Sequence, residues 1–393
     1  MKRAIGATAA LCALSLVLCA TAVASGPPAA AQSVVADAAF PTNMAFAPDG
    51  RLFYVEKDTG NVRVVDDANL LGQPFAHFDV RPDGETGLLG IAIPPDFAHD
   101  PWVYLYLSDA KTGNNEIVRV RANGDTGGEV QPVLTALPTE NSYHNGGDIA
   151  FGPDGMLYVT VGEVHESARA QDPNDLGGKI LRITPGGMSF EDNPFGQTPV
   201  YSMGHRNSFG ICFDPADGQL YETENGPDSN DEVNKIVAGG NYGWPTVMGP
   251  GGPDSFVQPF LYFPKVIVPT GCAVWDGDLY FGDMSGNVRR ASLGKGPYSG
   301  DIVGTLPSGV TDLQVGPDDS LYIATATEIV SWRSPPGTMP EGTPPEATPA
   351  SVKSNHFETY AAWVAGLFAL MLVIFGGLWF RRIARRENSR PDA

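Results

Sequence analysis

Long amphipathic helices are missing from this 393-residue chain, which turns the reading toward strands. Basic residues are scarce, with 25 Lys and Arg against 45 Asp and Glu. Setting aside Lys2, Arg3 and the last thirteen residues leaves 18 basic against 43 acidic side chains. That balance argues against nucleic acid as a partner and favours solubility and tolerance of cations, without selecting a substrate. Cysteine is almost absent too: of four, Cys12 and Cys19 lie near the start, and only Cys212 and Cys272 lie in the body. These two could pair in an oxidising compartment or stay apart as buried thiols, since sequence gives no distance.

Uncharged apolar runs are confined to the two ends. Residues 1–24 have Lys2 and Arg3, an apolar run from Ala9 to Ala20, and small Ala22 and Ala24, which is the pattern of a signal peptide. Residues 360–380 carry no charge and are long enough for a single transmembrane helix, with Arg381, Arg382, Arg385 and Arg386 directly after. Positive flanks stay inside, so 381–393 reads as a cytoplasmic tail and the body as exported. Residues 334–359 open on SPPGTMPEGTPPEATPA and read as a proline-rich linker. The expectation is a cell-membrane protein with its body extracytoplasmic.

Between these ends one unit recurs six times: AFAPDGRLFYVEKDTGNVRVV, IAIPPDFAHDPWVYLYLS, IAFGPDGMLYVTVGE, ICFDPADGQLYETENG, CAVWDGDLYFGDMSGNVRRASL and LQVGPDDSLYIATATEIVSW. Each has a strand, a Pro/Asp/Gly turn and a second strand opening on an aliphatic-aromatic pair. Asp49, Asp154 and Asp217 are read as turn formers. Residues 36–333 allow about 50 residues per copy, the size of a four-stranded propeller blade, so the fold expected is an all-β, six-bladed β-propeller.

A propeller gathers the loops before each innermost strand at one mouth of its channel. Those loops are DGETGLLG with Glu85, YHNGGD with His144, GHRNSFG with Arg206 and Asn207, and VPTG with Thr270. The densest stretch is 201–245, where an arginine suited to an anionic group precedes carboxylates and glycine turns suited to a hard cation.

The motifs GETGLLGIAIPPDF, HNGGDIAFGPDGMLYV, GHRNSFG and DEVNKIVAGGNYGWP, in that order and spacing, resemble the soluble, pyrroloquinoline-quinone-dependent aldose sugar dehydrogenases of the glucose/sorbosone dehydrogenase family. The resemblance implies a quinone (PQQ) and Ca2+ at the channel mouth, a sugar substrate, and a respiratory electron acceptor. It implies His144 as the base that takes the anomeric hydroxyl proton, and Glu85, Arg206, Asn207 and Thr270 as cofactor contacts. Gly226 and Pro227 match backbone ligands of the cofactor-bound calcium, and Glu232 and Tyr242 match a second calcium position.

The resemblance is incomplete where the family usually has a fifth-blade lysine and arginines leading into the sixth blade. Here GDMSGN and PSGVTD supply no base, leaving calcium or Lys265, Arg289 or Arg290 to compensate. Tyr143 replaces an acid common before the histidine, and Glu163 adds a negative charge. His165 and Glu166, in the loop after the third repeat, are within reach of the mouth but read more readily as solvated loop residues, and Trp244 reads as a filler between blades. Two other functions remain compatible: a cell-surface propeller that binds a glycan or protein without chemistry, and metal-dependent lactone opening.

Overall fold

The computed structural model describes residues 31–333 except 295 and 297. The signal peptide, the transmembrane segment and the tail read from the sequence lie outside the described residues, as does the linker. Among the described residues no helix is long and apolar enough to cross a membrane.

The described chain forms six antiparallel sheets in a ring, one for each sequence repeat. The innermost strands are Pro41–Phe46, Leu88–Ala92, Ile149–Phe151, Ser208–Phe213, Pro269–Trp275 and Val310–Val315. Five blades run outward through consecutive strands. The sixth is completed by the start of the described chain, since Ala31–Val35 pairs with Ile329–Trp332. The propeller therefore begins before residue 36. This closing pair removes the free edge that the first and last strands would otherwise expose.

Second strands such as Leu52–Glu56, Trp102–Ser108 and Leu157–Val161 are buried at every position. Each is covered on both faces, and the apolar clusters straddle the seams: Phe53 and Val64 of blade one meet Val103 and Leu105 of blade two, and Tyr158 of blade three meets Ile211 of blade four. The aspartates of the hairpin turns act as expected. Asp49, Asp154 and Asp217 accept from the backbone N–H two residues on, at 3.2, 3.1 and 2.9 Å.

Three side chains at the channel ends of the inner strands hook one blade to another. Asn43 Oδ1 accepts from Ile91 N (2.8 Å), Asp148 Oδ2 from Ile211 N (2.7 Å) and Asp312 Oδ2 from Met44 N (2.7 Å). The matching position of the fifth blade is Gly271, where a Cβ would lie 2.3 Å from Asp312 Oδ1. Cys212 and Cys272, left open by the sequence, are bonded, with Cα atoms 5.6 Å apart. They tie the inner strands of blades four and five.

Candidate active site

His144 stands in the loop ahead of the third blade, with φ of 60° and its side chain almost fully buried. The loop passes close to the strand end at Gly162, where a Cβ would sit 2.0 Å from the His144 carbonyl oxygen, so that position admits only glycine. His144 N donates to Glu85 Oε2 at 2.7 Å, and Asn207 Nδ2 donates to the same oxygen at 3.1 Å. Glu85 thus joins the loops of blades two, three and four. Burial pushes its carboxyl up, against those hydrogen bonds.

The imidazole is held from both sides. Nδ1 lies 2.9 Å from Glu163 Oε1, and Nε2 lies 2.8 Å from Arg206 Nη2. A guanidinium only donates, so Nε2 carries the lone pair and Nδ1 carries the hydrogen that Glu163 accepts. This is a carboxylate-oriented imidazole with its basic nitrogen facing a cationic donor. Glu163, read from sequence only as extra charge, is the group that fixes the tautomer. His165, read as solvated, stacks on His144 with ring centroids 3.8 Å apart. The aromatic contact and the return of the loop bring it there, and neither leaves a sequence signal.

Arg206 is fastened by Nη1 to the carbonyls of Asn225 (2.8 Å) and Gly226 (3.1 Å), and its guanidinium lies 5.5 Å from the Trp244 ring centroid. Trp244 is thus part of the site's wall rather than only a filler. Behind the pair, Glu224 Oε1 accepts the backbone N–H groups of Arg206 (2.8 Å) and Asn207 (2.7 Å). Its other oxygen lies 3.1 Å from His205 Nδ1, and Glu222 lies 3.2 Å from the same nitrogen. Burial works against it, but the two carboxylates raise His205 to about 9. Burial and the neighbouring Glu222 raise Glu224 to about 8.

Beside this cluster is a cavity of about 260 Å³ lined by Glu85, Asp148, Thr270, Thr311, Met284 and Lys57 among others. Thr270 faces it while its hydroxyl donates to Val310 O at 2.8 Å, tying blade five to six. The basic side chains expected to compensate do not line it. Arg289 is paired with Asp283 at 2.8 Å and Arg290 lies 3.8 Å from Asp278, both because their strand packs against the neighbouring strand of blade five, and Lys265 is exposed. Lys57, in the first blade, is the basic side chain that does.

The calcium candidates divide. Gly226 presents its carbonyl toward Arg206, and Pro227 is exposed next to it. Glu232 is buried, accepting from Asn234 Nδ2 (3.3 Å) and from Gly249 N, and burial pushes it up to about 7. Tyr242 stacks on His205 at 4.7 Å, and its hydroxyl donates to Lys235 O at 2.6 Å while accepting from Val237 N. That hydroxyl is committed, so any share of Tyr242 in a cation site falls to its main-chain oxygen.

A flat, acceptor-rich anion fits these surroundings. Of the buried donors without a hydrogen-bond partner, Thr311 Oγ1 belongs to a residue lining the cavity and Trp244 Nε1 to the ring beside Arg206, and Lys57 is the cavity's cation. A six-bladed propeller with a carboxylate-held imidazole at its mouth defines the class: a β-propeller with a general-base site beside a pocket for an anionic group. Residues 38–329 match the family model described as Glucose / Sorbosone dehydrogenase, and the chain belongs to that family.

Among solved structures, it is similar to the PQQ-bound aldose sugar dehydrogenase of Streptomyces coelicolor. They are 32% identical with a TM-score of 0.70, and the match covers 78% of this chain and 99% of that one. The aldose sugar dehydrogenase of Escherichia coli is 28% identical over 322 residues, 72% of this chain and 86% of its own. Quinoprotein glucose dehydrogenase B of Acinetobacter calcoaceticus is 31% identical over 244 residues, 53% of this chain and only 51% of that protein's length.

Proposed function

We propose that this chain oxidises an aldose at its anomeric carbon using pyrroloquinoline quinone, with Ca2+ at the mouth of the propeller. The observation that carries the reading is the unprotonated Nε2 of His144, fixed by Glu163 at Nδ1 and facing Arg206. A sugar hydroxyl that displaces the Arg206 contact meets this lone pair, and His144 takes its proton. Glu163 then stabilises the imidazolium by the hydrogen bond it already accepts. Arg206 and Asn207, with Glu85 and Thr270 at the cavity wall, would hold and orient the quinone, and the Gly226 and Pro227 carbonyls are the hard-oxygen donors suited to its calcium. When bound, the quinone supplies a two-electron acceptor for the hydride leaving the sugar carbon.

Incubation of the purified protein with the quinone and Ca2+ is expected to yield dye-linked oxidation of aldoses, abolished in His144→Ala. A quinone-loaded protein that turns over no aldose would sink this reading and leave a glycan-binding propeller in its place. We further propose that residues 1–24 export the chain and that 360–380 anchor it in the cell membrane, with the propeller outside, handing electrons to a respiratory acceptor. The Cys212–Cys272 bond supports an oxidising compartment.

A further inference from the structure

We infer that Lys57 and Thr311 form a carboxylate-binding subsite on the wall of the mouth cavity shared by the first and sixth blades. Both line the cavity, and Lys57 is its only basic lining residue among the described residues. The inference rests on the quinone reading, since the ligand it would hold is one carboxylate of the cofactor.

Three observations support it. First, the Lys57 backbone is fixed and its side chain is largely covered. Its N–H donates to Phe40 O at 3.1 Å, its carbonyl accepts from Leu88 N at 3.0 Å, and its side chain is only 12% exposed. Room for its stem comes from Gly87, where a Cβ would lie 2.8 Å from Lys57 Cγ. Second, its one anionic partner is weak: Asp58, at 2.7 Å, is more than half exposed, so the pair is open to exchange for a better-enclosed anion. Third, Thr311 Oγ1 is buried and has no hydrogen-bond partner, whereas the neighbouring Thr42 hydroxyl already donates to Leu88 O. A carboxylate in this cavity would offer Thr311 an acceptor and Lys57 a counter-charge. The cavity's acids already have partners: Glu85 accepts from His144 N and Asn207 Nδ2, and Asp148 from Asn43 Nδ2 and Ile211 N.

The test is calorimetric titration of pyrroloquinoline quinone, with Ca2+ present, into the detergent-solubilised full-length chain. Lys57→Ala should weaken binding about tenfold or more, Lys57→Arg should stay within a few fold of wild type, and Thr311→Val should weaken binding several fold. Asp58→Asn, which frees the lysine from its exposed partner, should tighten binding. Thermal melts of the free proteins show whether each variant is folded. Wild-type affinity in Lys57→Ala together with no change in Asp58→Asn would overturn the subsite. No quinone binding by the wild-type chain would instead overturn the parent reading, and this subsite with it.

Discussion

At the scale of single residues, Glu163 changes the meaning of His144. An imidazole pinned only by Arg206 could sit in either ring orientation, whereas the 2.9 Å contact to a buried carboxylate leaves one tautomer. Glu163→Gln keeps the shape but substitutes an amide, which donates as readily as it accepts. We expect kcat to fall about 100-fold or more with KM little changed, because the residue positions the base and does not touch the sugar. Unaltered kcat in that variant would remove Glu163 from the mechanism. In sequence the acid stands nineteen residues from the histidine on a different strand end, and only the return of the hairpin joins them.

At the scale of elements, the fourth blade is the one that carries the most unusual chemistry. Its second strand, Leu220–Glu224, delivers Glu222 and Glu224 to His205, and Glu224 in turn fixes the backbone of Arg206 and Asn207. His205 is raised from 6.5 to about 9, and Glu224 and Glu232 from 4.5 to about 8 and about 7, each with burial as the leading influence, favouring the proton on the carboxyls and opposing it on His205. In each case the folded state holds a proton that the unfolded chain releases at lower pH. The stability these groups contribute therefore falls as pH rises from about 5 toward 9, while Lys179, which burial lowers to about 8, acts in the opposite sense above about pH 8. Glu222, which the His205 charge holds down to about 2 against the effect of burial, acts in the opposite sense only below about pH 4.5. Melting temperatures measured across pH 5–8 should decline, and less steeply in Glu224→Gln. A melting temperature that climbs over this range would contradict the assignment of these protons.

At the scale of the whole molecule, the orientation proposed above rests on the arginine-rich stretch after residue 380. Protease added to intact cells is expected to digest the propeller and spare a tag placed after Ala393; protection of the propeller would reverse the proposed orientation. The sequence alone determined the number and class of blades, because each hairpin repeats the same turn chemistry and strand pairing is local. It also marked His144, Arg206, Asn207 and Glu85, since each stands in a short motif just ahead of an inner strand. Tertiary structure decided what local pattern cannot encode. It set the pairing of Ala31–Val35 with the last blade, the Cys212–Cys272 bond, and the use of Glu163 and His165 around the base. It also put Lys57, rather than Arg289 or Arg290, beside the cavity. The physical reason is that ring closure joins residues from different blades, and which side chain faces the channel depends on strand register and on the partners already claimed within each sheet.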